Sequence, residues 1–233
     1  MKPRLGRAAL LVLVTIGMLH TPVMSAQGVM PSQSPAAMRS EAPEVLEGPM
    51  PAMRRMPGAV FFAGDSLTYD TWHWAGLRFE AQLRGWKVSG ARARGGLRAG
   101  ELADMWPGFA RNLPGRVLVA IGANDVIFGT SPTDFKRAIS RIIRLSPGRI
   151  VVLVGIYVRS DPLVASREEA LNSVLRELGE AKGRVRYADW GSLVHAHPTW
   201  PLPSDVFRIH LTPEGLRARA QFYLDSLGRA PRP

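Results

Sequence analysis

The chain has 233 residues, of which 46% are hydrophobic, and this suits one globular domain with a full core better than two. It has no cysteine, which excludes disulfides, a thiol nucleophile and a cysteine-based zinc site. The formal net charge of +11 favours anionic neighbours such as cell-wall polymers, lipid headgroups or acidic polysaccharide. Nucleic acid is not an expected partner, because the arginines are scattered and no recognised binding motif accompanies them.

The first 26 residues have the pattern of a signal peptide. Lys2, Arg4 and Arg7 make a basic start, and the apolar core that follows over residues 8–19 is short for a membrane span. We therefore expect export to the periplasm, cell envelope or medium, with an uncleaved membrane anchor as the alternative. Residues 27–57 are rich in Pro, Met, Ser, Ala and Glu without a sustained apolar period, which predicts a flexible tether. The folded domain is expected over residues 58–228, followed by a short tail at 229–233.

Five apolar runs, each followed by turn residues and a helical pattern, predict five β-strands. Several runs are nearly continuous in Val, Ile, Leu and Phe, which is typical of parallel strands covered on both faces. The sequence therefore predicts an α/β fold with a parallel, doubly wound sheet. The runs are residues 59–63, 86–89, 117–121, 150–156 and 185–188.

The segments between these runs carry helical spacing and helix start signals. Ser131 is a good helix cap before Pro132, and Thr212 stands in the same way before Pro213. Five helices are predicted, and the second is interrupted near Pro107. They cover residues 77–83, residues 97–113, the segment from Ser131 to the Pro147-Gly148 pair, residues 166–181, and the segment that begins at Thr212.

Ser66 is the candidate nucleophile. It lies in Gly64-Asp65-Ser66-Leu67-Thr68, directly after the first predicted strand, and ligands of open α/β sheets bind at the carboxyl ends of the strands. The same residue types also form ordinary turns. The choice between a nucleophile and a turn therefore depends on whether the chain offers catalytic partners for the serine.

A serine nucleophile needs a base, and His210 is the best candidate because it precedes the capped helix at Thr212. A histidine packed for structural reasons is the alternative. His73 suggests a pocket wall. His195 and His197 lack an evident third ligand, so no metal site is expected.

Donors for an oxyanion are predicted after three successive strands. They are the backbone N–H groups of Ser66 and of Gly96, and the side-chain amide of Asn124. Each stretch alone could be a Gly/Asn turn. Parallel pairing, however, brings the ends of these strands to one edge of the sheet.

These blocks, Gly64-Asp65-Ser66-Leu67, Gly96, Gly122-x-Asn124-Asp125 and His210-Leu211-Thr212, resemble the GDSL or SGNH hydrolase superfamily over residues 59–225. The resemblance implies a three-layer flavodoxin-like fold, ester hydrolysis, and no metal or cofactor. It implies Ser66 as nucleophile, His210 as base, and Ser66, Gly96 and Asn124 as the oxyanion hole. Ala188-Asp189-Trp190 and His197-Pro198-x-Trp200 look more narrowly like SGNH domains attached to cell-envelope acyltransferases, which act on O-acyl groups of polysaccharide or peptidoglycan.

One position departs from the family pattern. The superfamily has an aspartate three residues before the histidine, where this chain has Phe207, and Asp205 lies five residues before it. Three outcomes are open. The loop bulges and Asp205 still bonds the imidazole, which we favour; a backbone carbonyl or another acid such as Asp189 replaces it; or nothing orients His210.

We expect an exported serine esterase that works through an acyl-enzyme on Ser66, with a small-molecule or carbohydrate ester as substrate. Acyl transfer to a sugar by the same residues is the second hypothesis, and a catalytically impaired envelope-binding domain is the third. Several aromatic residues suit either a substrate wall or the core: Tyr69, Trp72, Trp74, Trp106, Phe128 and Trp200.

Overall fold

The computed structural model describes residues 44–158, 162–181 and 183–230. Within these residues, one sheet has the strand order β1-β3-β2-β4-β5-β6. Strands β2 to β6 are parallel, so the predicted parallel sheet is confirmed, and β1 adds an antiparallel edge. The strands are β1 (Glu44–Glu47), β2 (Ala59–Gly64), β3 (Lys87–Arg94), β4 (Arg116–Ala120), β5 (Ile150–Val154) and β6 (Val185–Ala188).

The predicted tether is wrong for residues 44–57. Strand β1 pairs with β3 from Glu44 opposite Arg94 to Glu47 opposite Ala91, and Met50 N then donates to Ser89 O at 3.1 Å. The composition argument failed because an edge strand is held by the free backbone groups of its neighbour and needs little apolar burial. The rest of the predicted tether and the predicted signal peptide lie outside the described residues.

Helices cover both faces of the sheet. They are α1 (Ser66–Trp74), α2 (Leu77–Leu83), α3 (Ala99–Met105), α4 (Pro107–Ala110), α5 (Ala123–Ile127), α6 (Pro132–Arg144), α7 (Pro162–Glu180), α8 (Trp190–His195) and α9 (Pro213–Leu227). The predicted caps of α6 and α9 are present, since Ser131 accepts from Asp134 N and Thr212 accepts from Gly215 N.

Alternate residues of β2 face opposite cores, as the pleat of a strand requires. Phe61 and Ala63 pack with α3, α5, α6 and α7, whereas Val60 and Phe62 pack with α1, α2, α8 and α9. The result is a three-layer arrangement with the sheet in the middle. Among the described residues, no helix is long and apolar enough to cross a membrane.

The two cores also account for three of the six candidate aromatic residues. Trp72, Trp106 and Trp200 are buried in them. Trp74 and Phe128 remain exposed, and Phe128 follows α5 directly. The core reading is therefore confirmed for three residues, and Phe128 stays available to a ligand at the carboxyl edge of the sheet.

Candidate active site

Ser66 is the first residue of α1, after a sharp turn out of β2. A Cβ atom at Gly64 would lie 2.1 Å from Thr68 Oγ1 and 2.3 Å from Ala120 O, so only glycine fits there. Asp65 caps α1, and its carboxylate accepts a hydrogen bond from Leu67 N at 3.1 Å. This turn leaves the Ser66 side chain half-buried at the carboxyl edge of the sheet.

Helix α9 contacts the first turn of α1 through Tyr223. Tyr223 OH lies 3.1 Å from Thr68 Oγ1, and Arg219 Nε donates to Tyr223 OH at 2.9 Å. Burial raises the pKa of Asp65 from 3.8 to about 6, although the positive charge of Arg219 opposes the shift. The turn before α1 therefore has a buried acid, Asp65, near a buried arginine, Arg219, and Tyr223 links α9 to α1 through Thr68.

His210 reaches the serine from the segment before α9. Leu202 N donates to His210 O at 2.9 Å and Thr212 N donates to Trp200 O at 2.8 Å, so two short segments form an antiparallel bridge. The bridge fixes the backbone on both sides of the histidine. His210 Nε2 then lies 3.2 Å from Ser66 Oγ. That distance is within hydrogen-bond reach of a base and its nucleophile.

Asp205 contacts the other nitrogen of the ring. Its Oδ2 lies 3.0 Å from His210 Nδ1 and also accepts from the backbone N–H groups of Ile209 (2.9 Å) and His210 (2.8 Å). Its Oδ1 accepts from Phe207 N at 3.2 Å. Although burial alone would raise it, the pKa of Asp205 is lowered by the hydrogen bonds and charge of His210 and by the backbone N–H of Phe207.

The two extra residues before His210 form a bulge. Arg208 has φ of 49°, in the left-handed region, and its N–H donates to Asp205 O at 3.0 Å. Of the three outcomes left open by the sequence, the structure has the first. Asp189 is occupied elsewhere, because it caps α8 through Ser192 N at 3.0 Å.

The three predicted N–H donors follow the carboxyl ends of adjacent strands. Strand β2 lies between β3 and β4, so Ser66 is flanked by Gly96 on one side and Asn124 on the other. No acceptor for the backbone N–H of Ser66 or Gly96 occurs among the described residues. Asn124 Nδ2 donates to Leu97 O at 3.2 Å and keeps a second hydrogen free. The structure therefore brings all five sequence-predicted residues to one edge of the sheet.

Comparison with known proteins identifies the family. Residues 62–218 match the profile of the GDSL-like Lipase/Acylhydrolase family. The chain belongs to this family. Membership gives the protein the general activity of a hydrolase that acts on esters. No curated protein sequence matches the chain.

Solved structures share the fold of this GDSL-like hydrolase. The lipase Lip_vut3 from a goat rumen metagenome is 17% identical with a TM-score of 0.60, over 74% of this chain and 98% of that one. The C-terminal catalytic domain of peptidoglycan O-acetyltransferase A from Streptococcus pneumoniae is 20% identical with a TM-score of 0.55, over 73% and 90%. A family 3 carbohydrate esterase from Clostridium thermocellum is 15% identical with a TM-score of 0.57, over 72% and 93%.

In this GDSL-like hydrolase, Asp125 joins the loops that carry Gly96 and Asn124. No role was predicted for it from the sequence. Asp125 Oδ2 accepts from Ala99 N, the first residue of α3, at 2.9 Å. Together with the Asn124 bond to Leu97 O, this contact ties the two loops across the end of β2. The sequence indicated this role only through the presence of an acidic residue directly after Asn124.

Arg219 and Arg208 were also missed. Arg219 is buried among Trp190 and Tyr223, with its guanidinium 4.9 Å and 5.0 Å from their ring centroids. Arg219 could have been noticed in the sequence as a single arginine on the otherwise apolar face of α9. Nothing in the sequence marks the left-handed conformation of Arg208, because that conformation normally selects glycine or asparagine.

The exposed side of the site carries an aromatic ring and a cation. Phe128 is 64% exposed, and the Arg98 guanidinium lies 6.0 Å from its ring centroid. Both residues adjoin the predicted oxyanion donors, since Phe128 N donates to Asn124 O at 2.9 Å and Arg98 is two residues after Gly96. A substrate reaching Ser66 from this side meets a flat apolar face beside a positive charge.

Proposed function

We propose that this protein is an exported serine esterase that hydrolyses O-acyl groups of cell-envelope carbohydrate through an acyl-enzyme on Ser66. The observation that carries the proposal is the continuous chain of contacts from Ser66 Oγ to His210 Nε2 at 3.2 Å and from His210 Nδ1 to Asp205 Oδ2 at 3.0 Å. A nucleophile, a base and a group that orients the base are the three parts that serine catalysis requires.

In the first half of the reaction, Ser66 Oγ attacks the ester carbonyl while His210 Nε2 takes the hydroxyl proton. Asp205 accepts from Nδ1–H, which selects the tautomer with a free Nε2 and stabilises the imidazolium that forms. The carbonyl oxygen becomes negative and receives hydrogen bonds from Ser66 N, Gly96 N and Asn124 Nδ2. Collapse of this intermediate breaks the ester bond, and the imidazolium gives its proton to the departing alcohol.

In the second half, water enters and His210 removes its proton as it attacks the acyl-enzyme. The same three donors hold the second oxyanion. The intermediate releases the acid, and Ser66 Oγ recovers its proton from His210. The start of α1 favours both oxyanions, because the positive end of the helix dipole points at them.

The substrate class is supported by the charge and by the rim of the site. The net charge of +11 for the whole chain, or 11 − 3 = +8 without Lys2, Arg4 and Arg7 of the predicted signal peptide, attracts anionic polymers of the envelope. The exposed ring of Phe128 suits stacking on a sugar or contact with an acyl group. Two proteins with the same fold are described as a peptidoglycan O-acetyltransferase domain and a carbohydrate esterase. Export rests on the basic and apolar pattern of residues 1–26.

Hydrolysis of p-nitrophenyl acetate by the parent and by Ser66→Ala tests the proposal. Ser173→Ala is the matched control, because Ser173 is exposed on α7, far in sequence from the site. We expect activity to disappear in Ser66→Ala and to persist in Ser173→Ala. Equal activity in all three proteins would contradict the proposal and favour a binding domain.

Transfer of the acyl group to a sugar hydroxyl uses the same residues and differs only in the acceptor. Supplying an oligosaccharide with the acyl donor separates the two reactions, since hydrolysis yields free acid and transfer yields acylated sugar. We expect free acid to dominate. Acylated sugar as the main product would replace the esterase assignment with that of an acyltransferase.

A further inference from the structure

The edge of the sheet opposite Ser66 carries a cleft lined by four arginines. The cleft has a volume of about 390 Å³ and lies at the start of β2, β4 and β5. Its arginines are Arg54, Arg55, Arg116 and Arg149, and Gly115 forms part of its wall. We call it the arginine cleft.

The charge of the arginine cleft has no counter-charge in the described part of the protein. No carboxylate lines it, and none of its four guanidinium groups forms an ion pair or a side-chain hydrogen bond with a described residue. Burial, and secondarily the like charge of Arg54, lowers the pKa of Arg149. The arrangement concentrates positive charge without internal compensation.

A structural role accounts for Arg184 on this edge and for part of the Arg116 side chain, but not for the other three arginines of the cleft. Arg184 donates to Ser146 O at 2.8 Å and Ile143 O at 3.2 Å, carbonyls at the end of α6, which is a common use of arginine. Arg116 stacks over Trp86 at 5.0 Å, yet its Nε is buried without a partner among the described residues. Stacking on Trp86 supplies no counter-charge, so the charge of Arg116 adds to that of the other arginines in the cleft.

The arginine cleft is separate from the esterase site. Strand β2 spans six residues, from Ala59 at the cleft to Gly64 at the turn. At about 3.3 Å per residue, the cleft is roughly 15–20 Å from Ser66. A group bound there does not contact the reacting ester.

We infer that the arginine cleft binds a phosphate group. Guanidinium is planar, permanently charged and able to bond two phosphate oxygens at once. Four such groups around one cleft match a ligand with more than one negative charge better than a single carboxylate does. The phosphate belongs either to a soluble or polymeric phosphate compound or to a lipid headgroup, and the two sources present the same chemistry.

Gly115 offers a variant that alters the wall of the cleft without changing charge. A Cβ atom at this position would meet nothing within 4 Å, and its φ lies outside the left-handed region, so a larger side chain enters open space. Gly115→Leu therefore adds a bulky side chain to the wall of the cleft. Arg54→Gln/Arg149→Gln removes two charges, and Arg137→Gln/Arg217→Gln removes two exposed charges elsewhere as the matched control.

Binding of pyrophosphate to the full-length protein, measured by titration calorimetry at low salt, is the first assay. We expect the affinity to fall about tenfold for each cleft arginine removed, and at least tenfold in Gly115→Leu, with the control pair close to the parent. Equal weakening in both arginine pairs, unchanged binding in Gly115→Leu, or no binding by the parent would overturn the inference.

Sedimentation with phosphatidylglycerol vesicles distinguishes the two sources. Vesicle binding that is lost with the cleft variants assigns a lipid headgroup, whereas pyrophosphate binding without vesicle binding assigns a soluble or polymeric phosphate. Either result supports phosphate binding in the arginine cleft. Hydrolysis of p-nitrophenyl acetate should stay within about twofold of the parent in every cleft variant, so failure here and failure of the esterase proposal are distinguishable.

Discussion

Replacing Asp205 with asparagine removes one negative charge and keeps the shape of the side chain. The carboxylate accepts four N–H groups, three on Oδ2 and one on Oδ1. An asparagine will therefore place its oxygen at the Oδ2 position, where it still accepts from the imidazole. Its amide nitrogen then faces Phe207 N–H, which is left without an acceptor.

Two effects follow, and they have different sizes. The orphaned N–H of Phe207 should lower the free energy of unfolding by about 1–2 kcal/mol. Loss of the charge next to the imidazolium costs about 1 kcal/mol in bulk water and about 4 kcal/mol at an effective dielectric of 20, for charges about 4 Å apart. His210 and Asp205 are partly buried, so we expect kcat to fall by about 10²–10³. The upper end approaches the 10⁴ found when a serine protease loses its aspartate charge.

The assay is the kcat for p-nitrophenyl acetate, with thermal unfolding as the check on folding. Asp189→Asn is the control, because Asp189 bonds Ser192 and Tyr187 and makes no contact with His210 among the described residues. We expect its kcat to stay within about twofold of the parent. A near-parental kcat in Asp205→Asn, or a larger loss in Asp189→Asn, would refute the reasoning.

Three further predictions concern the oxyanion donors, the bulge and a buried acid. Asn124→Ala should lower kcat by about 10²–10³ while circular dichroism shows a folded protein, and near-parental turnover would remove Asn124 from the oxyanion hole. Arg208→Gly should raise the free energy of unfolding by up to about 1 kcal/mol, because φ is 49° there, whereas Arg208→Val should lower it in the same denaturant titration. Burial raises the pKa of Glu168 from 4.5 to about 7. Its contribution to the free energy of unfolding is therefore complete below pH 4.5 and is lost as the pH rises through 7, by about 3 kcal/mol. Glu168→Gln should flatten that part of the stability profile, and an unchanged profile would contradict the assignment.

The parallel strands were predictable because they are covered on both faces, which makes each a run of apolar residues. Strand β3 shows where the argument fails. The predicted strand ends at residue 89, but β3 continues to Arg94, since Ala91 and Ala93 face inward and alternate with arginines. Helix α7 likewise begins at Pro162, four residues earlier than its apolar pattern indicates.

At the site, Ser66, Gly96, Asn124 and His210 were predictable from their positions after strands and before a capped helix. The contact of Asp205 was only one of three alternatives, because a two-residue bulge depends on the conformation of Arg208 rather than on its identity. The bond from Tyr223 to Thr68 joins residues 155 positions apart. Pairing of that kind is set by the packing of α9 on α1, which no local pattern records.

The most direct test is to find which residue an active-site reagent modifies covalently. The protein is incubated with a sulfonyl fluoride or an activated ester, digested, and analysed by mass spectrometry. We predict one adduct, on the peptide that contains Ser66, with labelling reduced at least a hundredfold in His210→Ala. An adduct on another residue, or equal labelling of Ser66 when His210 is absent, would contradict the claim that the imidazole activates this hydroxyl.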